Sequence, residues 1–136
     1  MSRKESRNLA FKLIFSIQIQ KEDINEQLKY FIENNELDDE ETIKYITNTF
    51  KGVIENNSII CDVISKNLKK DWSIDRLSKV DISILKLAVY EMMFAQIPFK
   101  VVINEAVELA KEYGDDNSPS FVNGVLAGVL KNIENN

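Results

Sequence analysis

Near the start of the chain, Arg3, Lys4, Arg7, Phe11 and Phe15 are the residues whose types and spacing could do chemistry. On a helix turning about 100 degrees per residue, Leu9, Ala10, Leu13, Ile14 and Ile17 share one face. Arg3, Lys4, Arg7 and Gln18 gather on the opposite side, with Phe11 and Phe15 beside the cations. Cations neutralise phosphates and rings stack on bases, so this face suits a single-stranded nucleic acid. It suits equally well a helix whose rings are covered by a neighbour and whose cations are merely solvated. Two later stretches carry compatible groups. Lys100 stands where a helix should begin, and the free N–H groups of a helix start suit phosphate oxygens. Asn117, Ser118 and Ser120 open the last helix beside Phe121, offering amide, hydroxyl and ring. Taken singly, a serine there is more often a cap and a phenylalanine a core anchor, so these residues form a site only if the fold gathers them.

Other chemistries are poorly supplied. The 136 residues contain no histidine, which removes histidine-based triads, histidine metal ligands and an imidazole base. The one cysteine, Cys61, cannot form an internal disulfide, and its place among Ile59, Ile60, Val63 and Ile64 predicts a small packed hydrophobe. None of the glycines, Gly52, Gly114, Gly124 and Gly128, opens a phosphate-binding loop, because none is followed by Lys-Ser or Lys-Thr. The expectation is a protein that is not an enzyme and uses no cofactor or metal. No apolar run approaches the roughly 20 residues of a membrane span, and MSRKESRN lacks the features of a secretion signal, which predicts a cytoplasmic protein. The net charge of −5 conceals an asymmetry. Arg3, Lys4, Arg7, Lys12 and Lys21 stand against Glu5 in residues 1–21, whereas residues 22–41 hold nine acids and the single base Lys29. An acidic chain can therefore still present a basic face.

Positioning those groups falls to helices. Apolar residues recur at three and four positions along most of the chain, with only four glycines and two prolines, and no strand pattern remains. The expectation is an all-α fold of about seven helices. The first should be capped by Ser2, with Glu5 at capping-box spacing, and run to about Gln20. Asp23 should cap a second to Glu33, and residues 40–68 should form two more, broken at Asn56, Asn57 and Ser58. A fifth, capped by Ser78, should run to Gln96 and lie at the centre, with Ser83, Lys86 and Tyr90 as its narrow polar stripe. The sixth should span residues 101–113 and stop at Gly114, and the seventh should run from Ser118 or Ser120 to Asn132. The polar connection KKDWSID divides a single domain, 1–136, into helical lobes of about 1–70 and 74–136. In the last helix Gly124 and Gly128 each cost roughly 1 kcal/mol relative to alanine, and their shared face predicts close approach of another helix.

Four segments together, SRNLAFKLIFSIQ, VDISILKLAVYEM, IPFKVVINEAVELAKEYG and FVNGVL, give the chain a specific likeness. In this order and spacing they resemble the NusB family of transcription antitermination factors along nearly the whole chain. The resemblance implies two packed helical bundles. It also implies an RNA-binding protein that holds the boxA element of ribosomal RNA leaders as a heterodimer with NusE, a small-subunit ribosomal protein, and helps RNA polymerase resist termination. By the same resemblance Arg3, Lys4, Arg7, Lys100, Asn117, Ser118 and Phe121 face RNA, while Phe15, Asp75 and Asp81 face NusE. Phe15 is thereby reassigned from base stacking to the partner. Departures from the family pattern are Ser120 in place of a frequent Lys, Phe15 in place of a frequent Tyr, and Glu5 interrupting a thinner basic cluster. Fewer cations release fewer counterions, which predicts weak RNA binding alone and strong dependence on the partner. Other readings are an RNA-recognition domain like that of ribosomal RNA methyltransferases, or a helical interaction or homodimerisation module.

Overall fold

The computed structural model describes residues 1–20 and 23–135; Lys21 and Glu22, which enter the charge counts above, lie outside the described residues. Among the described residues there are seven α-helices and no strand. They are α1 (Arg3–Ile19), α2 (Ile24–Asn34), α3 (Glu40–Glu55), α4 (Asn57–Lys66), α5 (Lys79–Met93), α6 (Phe99–Tyr113) and α7 (Ser118–Glu134). Four begin on the side chains that suit the task. Ser2 Oγ accepts from the Glu5 N–H at 3.1 Å, Asp23 from Glu26 at 3.1 Å, Asp39 from Thr42 at 3.2 Å and Ser78 from Asp81 at 3.0 Å. Each such cap contributes about 1 kcal/mol.

The boundaries that differ from expectation have local causes. Only Asn56 separates α3 from α4, its side-chain amide donating to the Gly52 carbonyl at 2.8 Å. Helix α4 stops at Lys66, where the Asn67 side-chain amide donates to the Val63 carbonyl at 2.9 Å. Helix α5 ends at Met93, short of Gln96, which takes a left-handed backbone (φ 54) while the Ile97 N–H returns to the Glu91 carbonyl. KKDWSID carries an unanticipated 3-10 turn, Ile74–Arg76.

As expected, α5 is central, packing against α1, α3, α4, α6 and α7. Ile84, Leu85, Leu87 and Val89 are no more than 1% exposed, and burial of such a side chain stabilises by about 1.5–3 kcal/mol. One apolar cluster runs from Ala10 in α1 to Val129 in α7. The polar stripe is not a solvated face: Ser83 is buried and donates to the Lys79 carbonyl at 2.6 Å, and Lys86 is buried too. Nor is the stripe complete, because Glu91 is also buried on this helix.

Several placements are corrected by packing. Phe11 belongs to the core, its ring 5.0 Å from that of Tyr113, because α6 covers that side of α1. Cys61 is only partly covered on α4. The two α7 glycines separate in role. At Gly124, which is exposed, no heavy atom of the described residues beyond its own turn of helix lies within 4 Å of the place a Cβ would take, so no other helix approaches there. Gly128 is the close-contact position: a Cβ would lie 2.5 Å from Asn67 Oδ1, which also accepts from the Asn132 side-chain amide at 3.2 Å.

Candidate nucleic-acid interface

At the N-terminus of α1 the three expected cations divide. Arg3 and Lys4 are exposed, whereas Arg7 is 5% exposed. Arg7 Nε donates to Glu91 Oε1 at 2.9 Å and Oε2 at 3.2 Å, and Nη2 donates to Oε2 at 3.0 Å. Burial acts to lower the Arg7 pKa, but the hydrogen bonds and charge of Glu91 raise it above its ordinary value. The guanidinium is charged and already neutralised inside the protein. Expected as a phosphate contact, Arg7 is instead largely buried with Nε and Nη2 committed to Glu91, which makes it an internal brace before anything else. Tyr45 in α3 adds a hydroxyl donor 3.4 Å from Glu91 Oε2, and the Arg3 guanidinium lies 4.2 Å from the centre of the Tyr45 ring. The brace thus ties α1, α3 and α5 together under the two free cations.

At the other end of the surface α7 begins. Ser118 is 1% exposed, and its Oγ accepts from the Asp115 N–H at 3.1 Å. The Asp115 carboxylate in turn accepts from the N–H groups of Asn117 at 2.8 Å and Ser118 at 3.1 Å. A carboxylate from the chain itself takes the first N–H groups of this helix start, and Ser118, expected to face RNA, is instead a buried turn-former. Gly114 is required by the same turn, because a Cβ there would lie 2.4 Å from Ser118 Oγ. Asn117 stays exposed and Phe121 half-buried. The start of α6 is open by comparison: Pro98 precedes it, no side chain caps it and no acid stands in its first turn, where Lys100 is exposed.

Two clefts gather part of this set. One, of about 580 Å³, brings Lys4 of α1 together with Asn104 and Lys111 of α6 and Ser120 and Asn123 of α7, with Glu105 and Glu108 interspersed. The other, of about 510 Å³, joins Asn117, Ser120, Phe121 and Gly124 to Lys69 and Trp72 of the connection between α4 and α5. Lys100 lines neither cleft, but its neighbour Val101 shares a third, of about 590 Å³, with Arg3, Lys4, Tyr45 and the edge of the Arg7–Glu91 pair. Lys69, Trp72, Lys111 and Asn123 were missed in the sequence. A lone tryptophan beside two lysines in a polar connection was a usable signal for the first pair, and none marked the second.

The expected partner residues lie elsewhere. Phe15 is half-buried against the core, 6.2 Å from Phe11, and Asp75 is exposed in the 3-10 turn. Asp81 sits in the first turn of α5, where its Oδ1 is buried and has no hydrogen-bond partner among the described residues. A buried acceptor left without a partner carries a desolvation cost. No helix among the described residues is long and apolar enough to cross a membrane.

The chain resembles known proteins along nearly its whole length. The Clostridium novyi (strain NT) transcription antitermination protein NusB is 47% identical over 133 residues, covering 96% of this chain and 99% of its own. Among solved structures, T. maritima NusB has a TM-score of 0.87 at 38% identity, covering 96% of this chain and 92% of that one. Antitermination factors NusB and NusE in complex with dsRNA provide another, with a TM-score of 0.87, 29% identity and 96% of each chain covered. With the NusB family matching residues 4–131 as well, from the free cation Lys4 to beyond FVNGVL, this chain belongs to the NusB family.

Proposed function

We propose that this chain is an RNA-binding transcription antitermination factor that holds boxA RNA jointly with NusE and lets RNA polymerase read through terminators in ribosomal RNA leaders. It acts as a binding protein rather than an enzyme, in the cytoplasm, as one NusB-like domain of two lobes. The observation that carries this function is likeness across 96% of the chain to a NusB solved with NusE and dsRNA. Arg3, Lys4 and Lys100 supply the cations, Asn117 the polar contacts and Phe121 the ring. Arg7 and Ser118 hold the surface in shape. Phe15, Asp75 and Asp81 form the NusE face, where the exposed carboxylate of Asp75 and the charge of the partly exposed Asp81 suit a basic ribosomal protein.

With Arg7 withdrawn into the core, the free basic cluster on α1 is thinner than the sequence suggests, which strengthens the expectation of weak binding by the chain alone. Each lost phosphate contact on a single strand flattens the log–log salt dependence by about 0.7. The test is a titration of boxA and scrambled RNA with the chain, with and without NusE, at two salt concentrations. Discrimination for boxA should emerge with NusE, and Lys4→Glu should weaken binding and flatten the salt slope. Asp81→Lys should abolish NusE association without loss of helix. Equal boxA affinity with and without NusE, or association retained by Asp81→Lys, would overturn the respective assignment.

A further inference from the structure

We infer that the cleft between Trp72, Phe121 and Gly124 receives an unstacked nucleobase of the bound RNA, with Trp72 as its stacking wall and Lys69 as the phosphate contact beside it. The inference rests on the RNA-binding function proposed above and adds Trp72, Gly124 and Lys69 to the surface.

Trp72 is 51% exposed, although a large ring gains most by burial. Its position is built rather than incidental. The Trp72 N–H donates to the Lys69 carbonyl at 3.0 Å, closing a turn in which Asp71 takes a left-handed backbone (φ 75). That turn directs the chain so that the indole stands 6.3 Å from the Phe121 ring, the two planes inclined by 36°. The rings therefore do not stack face to face on each other, and the cleft beside them opens over Gly124.

Gly124 supplies the second observation. Within α7 a glycine costs about 1 kcal/mol against alanine, and neighbouring atoms do not require one here, since the space above it is empty. Empty space kept over an exposed helical glycine, at the edge of a cleft with two aromatic rings, is what a flat ligand needs to lie against backbone. Asn117 makes no cap hydrogen bond and borders the same cleft, so its amide is free for the donor and acceptor edge of a base.

A nucleobase fits better than a protein side chain on charge and continuity. Lys69 lines the cleft and Lys70 is exposed next to it. The Asp115 carboxylate is engaged by backbone N–H groups. The cleft is also continuous with Asn117 and Phe121, which already belong to the proposed RNA surface.

Trp72 is the only tryptophan in the chain, so fluorotryptophan incorporated into this chain alone gives one fluorine NMR signal. The complex with NusE is titrated with boxA RNA, while labelled-RNA anisotropy reports overall binding. Starting from the preformed complex with NusE, the Trp72 signal should move when RNA is added. Trp72→Ala should weaken RNA binding by about 5-fold or more, the lower end of what loss of one base–aromatic stack produces. Gly124→Leu, which fills the cleft while favouring helix, should weaken it comparably with helix content unchanged. RNA binding with an unmoved Trp72 signal and wild-type affinity in both variants rejects the cleft and leaves the RNA-binding function standing. A signal that moves on NusE binding and does not move again when RNA is added makes the cleft a protein contact and also rejects the inference. Absence of any RNA binding by the complex sinks both.

Discussion

Replacing Arg7 by methionine tests whether this residue braces the fold or contacts RNA. Arg7 is 5% exposed and Glu91 1%, and the pair is joined by donor–acceptor distances of 2.9, 3.0 and 3.2 Å. Arg7→Met removes the cation and leaves the Glu91 carboxylate without its charge partner inside the protein. Breaking one side of a buried pair costs about 3–5 kcal/mol. The Tyr45 hydroxyl, 3.4 Å from Glu91, compensates weakly and places the loss toward the lower end, about 3 kcal/mol. Urea unfolding followed by far-ultraviolet circular dichroism reads this directly. With a slope of about 1–3 kcal/mol per molar urea, the midpoint should fall by roughly 1–3 M. Adding Glu91→Met to Arg7→Met removes the second desolvated charge and should recover most of the stability. The double variant then answers the functional question, because it lacks Arg7 in a chain that still folds. It should bind boxA RNA with NusE as the wild type does. A single variant within about 1 kcal/mol of wild type, or a double variant less stable than the single one, would refute the brace. Loss of RNA affinity in a well-folded double variant would return Arg7 to the RNA surface.

Two further perturbations probe the same packing. Gly124→Ala should stabilise the chain by about 0.5–1 kcal/mol, because helix propensity is gained and nothing is displaced. Gly128→Ala should gain less or nothing, since it must dislodge the Asn67 side chain from Asn132; equal thermal shifts in the two variants would contradict the assignment. Burial, followed by the charge of Glu91, holds the phenols of Tyr45 and Tyr90 above their ordinary pKa of 10.0. The folded state therefore keeps protons that the unfolded state releases. This stability is complete below about pH 10 and is lost as pH rises further, so urea midpoints should hold level up to about pH 9 and fall above about pH 10. Tyr45→Phe should make that fall shallower, and an unchanged pH dependence in the variant would exclude Tyr45 as a source.

Much of this protein is local and therefore readable along the chain. Ser2, Asp23 and Ser78 cap the helices they precede, since a cap satisfies N–H groups only two or three residues away. The apolar run of α5 announced a central helix, and four segments, by their order and spacing, carried the family likeness and with it the proposed surfaces. Errors arose where a residue's role depends on something distant in sequence. A helical wheel put Arg7 among solvated cations, but Glu91, 84 positions later, takes it inside. The same wheel put Phe11 beside those cations, and Tyr113 covers it. It assigned close packing to Gly124 and Gly128 alike, whereas Asn67 reaches only the second. By itself the sequence determined the helices, their caps and the family, because periodicity and capping act within a few residues. Only the tertiary structure decided which cations remain free, which glycine leaves open space and that Trp72 meets Phe121, because burial and charge pairing depend on neighbours that the chain brings together by folding.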